Sequence, residues 1–226
     1  MVMRYRVAVL VAAAGGVAGA ALAATTPVTP SQGAIVTSSH PAFTWTSPSN
    51  EASDGIYIAS KPDRTPKGKF FDENVVDADF FFNNEQQWSP SSPLYAGHYW
   101  WLVWSHDRDT FQSYYSAPID FTLPVSLSVD SVKLHRYLSL HWLDVNVRWR
   151  TNVHGLTVRV SLLRRGRIIW ARTKNESNLI GFPGSTGFTW QRPRRIKQGT
   201  SLTLRVGVVV PKSSAAGGLV LKVRAP

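Results

Sequence analysis

Apolar residues recur at every second position in short runs along most of this chain, and clusters of Gly, Pro, Ser and Asn separate the runs. A two-residue period sends alternate side chains to opposite faces of an extended segment, so the pattern predicts half-buried β-strands. In the first half the runs fall at 34–36, 42–45, 56–59, 99–104 and 119–123. In the second they fall at 127–134, 145–149, 156–162, 168–171, 188–190, 202–210 and 219–223. Nothing has the period and length of a long helix. Seven short runs in about 100 residues suit a β-sandwich. The expected fold is therefore all-β, with two tandem antiparallel β-sandwich domains at 24–124 and 125–226.

The alternation also assigns faces. Val145, Val147 and Trp149 point one way, and Asn146, Arg148 and Arg150 the other; Leu202, Leu204 and Val206 alternate with Thr203 and Arg205. Arg165-Gly166 between two runs predicts a hairpin turn. Along 99–104, Tyr99, Trp101 and Val103 share one face and Trp100, Leu102 and Trp104 the other. If the first set is core, the second faces solvent unless something covers it.

Residues 1–23 have the three parts of a secretory leader: Arg4 and Arg6, the uncharged apolar stretch 7–20, and the small residues of Ala21-Leu22-Ala23. Cleavage is expected after Ala23, which makes the protein secreted. The competing reading is an uncleaved anchor, because the stretch just reaches the length needed to span a bilayer. The chain has no Cys, so it has neither a disulfide nor a thiolate metal site. Core packing alone must hold it. Arginine outnumbers lysine 17 to 8, a composition that points to a bacterium with a GC-rich genome.

Charge divides at the same place as the strand pattern. Residues 24–124 carry 5 Lys/Arg and 11 Asp/Glu, whereas 125–226 carry 18 and 3, within a net charge of +11. Because the arginines alternate with core positions, the positive half is a charged sandwich and not a basic tail.

In the first half, Pro41-Ala42-Phe43-Thr44-Trp45 resembles the second strand of a fibronectin type III domain, with tryptophan at the core position, and Ile56-Tyr57-Ile58 resembles its third. Leu94-Tyr95-Ala96-Gly97-His98-Tyr99-Trp100-Trp101-Leu102-Val103 is similar to the Leu-x-x-Gly-x-Tyr-x-Trp-x-Val run of bacterial members. Ser116 and Phe121-Thr122-Leu123-Pro124 resemble the closing strand. The resemblance covers residues 27–124. It implies a tyrosine-corner hydrogen bond from Tyr99 and a spacer or recognition role. The second half is immunoglobulin-like or fibronectin-like by pattern alone. The connection at Leu123-Pro124-Val125 is short, so limited freedom between the two halves is expected.

Arg164, Arg165 and Arg167 fall at the predicted hairpin tip. Arg192, Arg194, Arg195 and Lys197 form a loop cluster, and Arg148, Arg150, Arg159 and Arg205 project from strands. The planar guanidinium fork binds two oxygens of a phosphate, sulfate or carboxylate at once. These residues point to an anionic polymer or a cell-wall or surface component, against the alternative of a solvated surface that binds nothing. Trp100 and Trp104 are candidates for stacking on the C–H faces of a polysaccharide, against the alternative that they pack under the segment 61–87 with its Phe80-Phe81-Phe82 run or against the second domain. The acidic residues Asp72, Glu73, Asp77, Asp79, Asp107 and Asp109 lack the order of a calcium loop. Head-to-tail self-association of acidic and basic halves is a further reading.

Catalysis has little support. His40, His98, His106, His135, His141 and His154 show no metal-ligand spacing. Gly184-Ser185-Thr186-Gly187 has Pro183 where a nucleophile elbow needs glycine, and Ser105-His106-Asp107 is adjacency, not a triad. No cofactor and no specific nucleic acid is implied. The expected function is a non-catalytic secreted or surface-associated binding module.

Overall fold

The computed structural model describes residues 25–47, 51–82, 85–177 and 183–226. The expected leader and its cleavage point lie outside the described residues. Nine strands precede Pro124: β1 (Thr26–Thr29), β2 (Ala34–Ile35), β3 (Phe43–Thr46), β4 (Glu51–Ala59), β5 (Val75–Phe81), β6 (Gln87–Trp88), β7 (Gly97–Asp107), β8 (Ser113–Tyr115) and β9 (Ile119–Leu123). Seven follow it: β10 (Leu127–Tyr137), β11 (Trp142–Thr151), β12 (Gly155–Arg164), β13 (Arg167–Ser177), β14 (Gly184–Gln191), β15 (Ser201–Val209) and β16 (Ala216–Arg224).

The N-terminal strands form a sheet β1-β3-β6 and a sheet β2-β9-β7-β4-β5, with β8 on β7. Between them lie Phe43, Trp45, Ile56, Ile58, Tyr99, Trp101 and Phe121. The inward set along β7 is therefore Tyr99, Trp101 and Val103, as the alternation predicts. Buried tryptophans need acceptors for their N–H groups. Trp45 Nε1 donates to Asp54 Oδ2 at 3.1 Å and Trp101 Nε1 to the Pro30 carbonyl at 3.1 Å. The Tyr99 hydroxyl donates to the Tyr95 carbonyl at 2.7 Å, which is the tyrosine corner. With Trp45 at the core position and antiparallel β3, β4, β7 and β9 where the motifs place them, this sheet pair is fibronectin type III-like.

The C-terminal strands form sheets β10-β11-β14 and β13-β12-β15-β16. Their core holds Leu143, Val145, Val147 and Trp149 against Leu156, Val158, Val160, Leu202, Leu204 and Val206. Asn146, Arg148, Arg150 and Arg205 are exposed, so the inward and outward sets match the sequence pattern. Arg165 and Gly166 both have positive φ, 50° and 80°, the backbone of a tight two-residue hairpin turn. The architecture is all-β throughout the described residues.

Three residues join the two sheet pairs, and one asparagine fixes them. Buried Asn152 donates from Nδ2 to the Pro124 carbonyl at 2.9 Å, and its Oδ1 accepts the Ser126 N–H at 2.8 Å. Its own carbonyl accepts the Ala96 N–H of the N-terminal pair at 2.7 Å. The Tyr95 ring stacks on His154 with their planes 25° apart.

Candidate functional site

The arginines of the C-terminal pair divide by strand register into three groups. Arg148 and Arg150 project from β11 on the outer face of its sheet, where Arg150 Nε meets Asp130 Oδ2 at 2.8 Å. Arg148 lines a shallow groove of about 530 Å³ with Lys133, His135, Asp144, Asn146 and Ser185. One Asp144 oxygen in it is buried without a hydrogen-bond partner. Arg159 and Arg205 lie on the opposite outer face, beside Ile168, Gly207 and Val220, in a groove of about 420 Å³. These two faces are separated by the core, so no single flat ligand spans them.

The third group converges at one end of the sandwich. Arg164 pairs with Arg167 across the β12–β13 hairpin, and the neighbouring Leu163 pairs with Thr203 near the start of β15. The β14–β15 loop that carries Arg194, Arg195 and Lys197 leads into that same strand start. Arg224 closes the end, opposite Ser201. Arg164, Arg165, Arg167, Arg194, Arg195 and Lys197 are all exposed, and none has an ion pair among the described residues. Arg192 differs from its neighbours. It turns back into the protein, donating to the Ile196 carbonyl and meeting His141 Nδ1 at 2.9 Å, so it positions the loop instead of presenting charge. Glu176 lies at the far end of this sheet, opposite Leu156. Asp144 lies two residues from the Trp142–Gln191 end of β11, and the cations of this end outnumber it.

Trp100 and Trp104 do share the outer face of β7, but Leu102 between them is fully buried. The cause is the segment 60–74, which folds over the sheet and seats buried Phe70 against Leu102 and Ala59, with Tyr57, Trp100 and Tyr115 around them. Trp100 is half-buried there and meets His98 edge-on, centroids 4.4 Å apart. Trp104 is half-buried elsewhere. A Cβ on Gly55 would stand 2.1 Å from Trp104 Nε1, so the indole lies down on the β4 backbone, stacked with Phe80 at 5.4 Å and 18°. Phe82 beside them is 73 % exposed. The aromatic surface is thus Trp104–Phe80–Phe82, and the sequence signal for it was the Phe80–Phe82 run opposite a glycine.

Four of the candidate acidic residues have partners within the N-terminal pair, among them Asp72 with Lys69 Nζ at 2.6 Å and Asp77 with the Ala78 N–H at 2.9 Å. Asp79 accepts the Trp88 Nε1 proton at 2.7 Å, and Asp107 accepts the Asp109 and Thr110 N–H groups at 2.9 and 2.7 Å. Burial pushes the Asp77 carboxyl up, opposed by the Ala78 N–H and aided by the Asp79 charge. Among the described residues no three metal-ligating side chains gather.

One group had no place in the alternation. Tyr137, Leu138, Leu140 and Trp142 form the β10–β11 hairpin tip, all exposed. Their signal was the two leucines of Leu138-Ser139-Leu140-His141 between two strands, where turn residues such as Gly, Asn and Pro are usual.

No protein-family model matches this chain, and no curated protein matches it by sequence. Among solved structures it is similar to a two-domain fibronectin type III segment of chicken tenascin, with 12% identity, 84% of this chain and 94% of that one covered, and a TM-score of 0.44. It is also similar to a DUF3823 family protein from Bacteroides ovatus, with 13% identity, 89% and 98% covered, and a TM-score of 0.32. A third is a Streptomyces avermitilis alpha-L-rhamnosidase, with 12% identity, 87% of this chain and 24% of that one covered, and a TM-score of 0.33. These scores carry no chemistry to this chain.

Proposed function

We propose that this is a secreted or surface-associated, non-catalytic binding protein of two β-sandwich domains, whose basic second domain contacts an anionic polymer or surface. The observation that carries the reading is the convergence of Arg164, Arg165, Arg167, Arg194, Arg195 and Lys197 on the end of the sandwich remote from the junction. Like charges brought together in excess over carboxylates repel one another, and an anionic partner relieves that repulsion. Guanidinium forks give such a partner two hydrogen bonds each. The N-terminal domain then stands off from the surface as a spacer.

Retention on immobilised heparin tests this. Replacing Arg164, Arg165, Arg194 and Arg195 with Gln should move elution to clearly lower salt, whereas Arg148→Gln with Arg159→Gln should move it less. Contacts of this kind weaken steeply with ionic strength. Retention that persists unchanged at ~1 M salt, where the Debye length is about 3 Å, would sink the reading.

The Trp104–Phe80 surface supports a second reading, neutral polysaccharide recognition. Phe80, exposed and stacked with the Trp104 indole, offers flat aromatic surface of the kind that stacks on a pyranose. That binding should be insensitive to salt and abolished by Trp104→Ala. Unchanged retention of the variant on a neutral polysaccharide column would remove the idea.

A further inference from the structure

The cationic end carries an apolar point. The β10–β11 hairpin closes with Tyr137 opposite Trp142, and the His141 N–H donates back to the Leu138 carbonyl at 3.3 Å. This turn aims Leu138 and Leu140 into solvent, 53 % and 49 % exposed, above the half-open rings of Tyr137 and Trp142. A single exposed leucine is ordinary. Two leucines and two amphipathic aromatics on one hairpin tip are a contiguous apolar projection, and such projections mark interaction surfaces.

The projection is held against the basic loop. The Arg192 N–H donates to the His141 carbonyl at 2.8 Å, and the Arg192 guanidinium meets His141 Nδ1. Arg194 and Arg195 follow within three residues, and Arg136 precedes Tyr137. Apolar tip and cationic collar therefore form one rigid feature. A water-soluble polyanion satisfies the collar but leaves both leucines in water. An anionic bilayer satisfies both parts: headgroup phosphates meet the arginines, Tyr and Trp sit at headgroup depth, and leucines enter the acyl boundary.

We propose that this end of the C-terminal sandwich docks on an anionic phospholipid bilayer, with Leu138 and Leu140 inserted and Arg136, Arg194 and Arg195 on the headgroups. The proposal rests on the anionic-surface reading above and names its partner. It implies end-on docking, because the tip and the collar lie at the end of the sandwich away from Asn152.

The test uses the full chain with vesicles of phosphatidylcholine, with and without phosphatidylglycerol, at ~0.15 M salt. Co-sedimentation should require phosphatidylglycerol. The double variant Leu138→Ser, Leu140→Ser should lose roughly tenfold or more in partitioning, from the apolar carbons no longer buried, while heparin retention stays unchanged. Because the chain has no Cys, a fluorophore on Ser139→Cys reports the tip alone, and its emission should shift to the blue with anionic vesicles. Heparin retention without vesicle binding overturns the bilayer proposal and leaves the anionic-polymer reading standing. Vesicle binding that is indifferent to the leucine substitutions, or gives no shift at position 139, overturns insertion. Binding to neither partner overturns both.

Discussion

Tyr99 donates its hydroxyl to the carbonyl of Tyr95 at 2.7 Å, and the Tyr95 ring in turn stacks on His154 of the C-terminal sheet pair. The corner that closes one sandwich thus sets the residue that abuts the next. Tyr99→Phe keeps the ring and removes only the hydrogen bond. It should destabilise the fold by about 1 kcal/mol, measured by urea denaturation.

The same phenol titrates against stability. Burial pushes the Tyr99 hydroxyl above its ordinary value of 10, and burial with the nearby Tyr57 does the same to Tyr115, against the opposing charge of Lys69. Below pH 10 folded and unfolded chains both keep these protons, so there is no penalty. As pH rises through 10 the unfolded chain ionises first, and stability falls until the folded phenols ionise too. Denaturation midpoints should drop above pH ~10, and the drop should be smaller in Tyr99→Phe. A midpoint flat to higher pH would contradict this.

Asn152→Ala should cost about 1–3 kcal/mol, because it removes two hydrogen bonds, to the Ser126 N–H and the Pro124 carbonyl, each worth about 0.5–1.5 kcal/mol. Small-angle scattering should show a broader distribution of distances in the variant, as the tie across the three-residue connection is lost. An unchanged profile would mean that the Ala96–Asn152 backbone bond and the Tyr95–His154 stack hold the junction without the Asn152 side chain.

Gly55→Ala places a methyl where the Trp104 indole lies. Either the ring lifts from β4 or the strand shifts, and overpacking of this kind costs about 1–3 kcal/mol. The lifted ring loses its stacking on Phe80. Circular dichroism in the aromatic region should change, and any affinity for neutral polysaccharide should fall.

Much of the scaffold was legible because one face of each strand is apolar. β11 alternates Leu143, Val145, Val147 and Trp149 with polar residues, and β15 does the same, so their faces followed from sequence. β5 escaped because its Val-Val-Asp-Ala-Asp-Phe-Phe run lies at a sheet edge, where both faces see water for most of its length. β1 escaped because it is four residues long and contains Pro27. At the surface, the hairpin at Arg165 and the loop at Arg194 were each visible, but their convergence depends on β12 pairing with β15, a contact between residues far apart in the chain. The cover over Leu102 depends in the same way on where the segment 60–74 folds.

The Asn152 clamp has a mechanical consequence. A flexible linker passes on only tension, and each end swivels freely. A joint bonded at Pro124, Ser126 and Ala96 also resists bending and twisting. With one end grounded, a sideways push on the other is felt as torque at the contact, and the molecule behaves as a post and not as a tether.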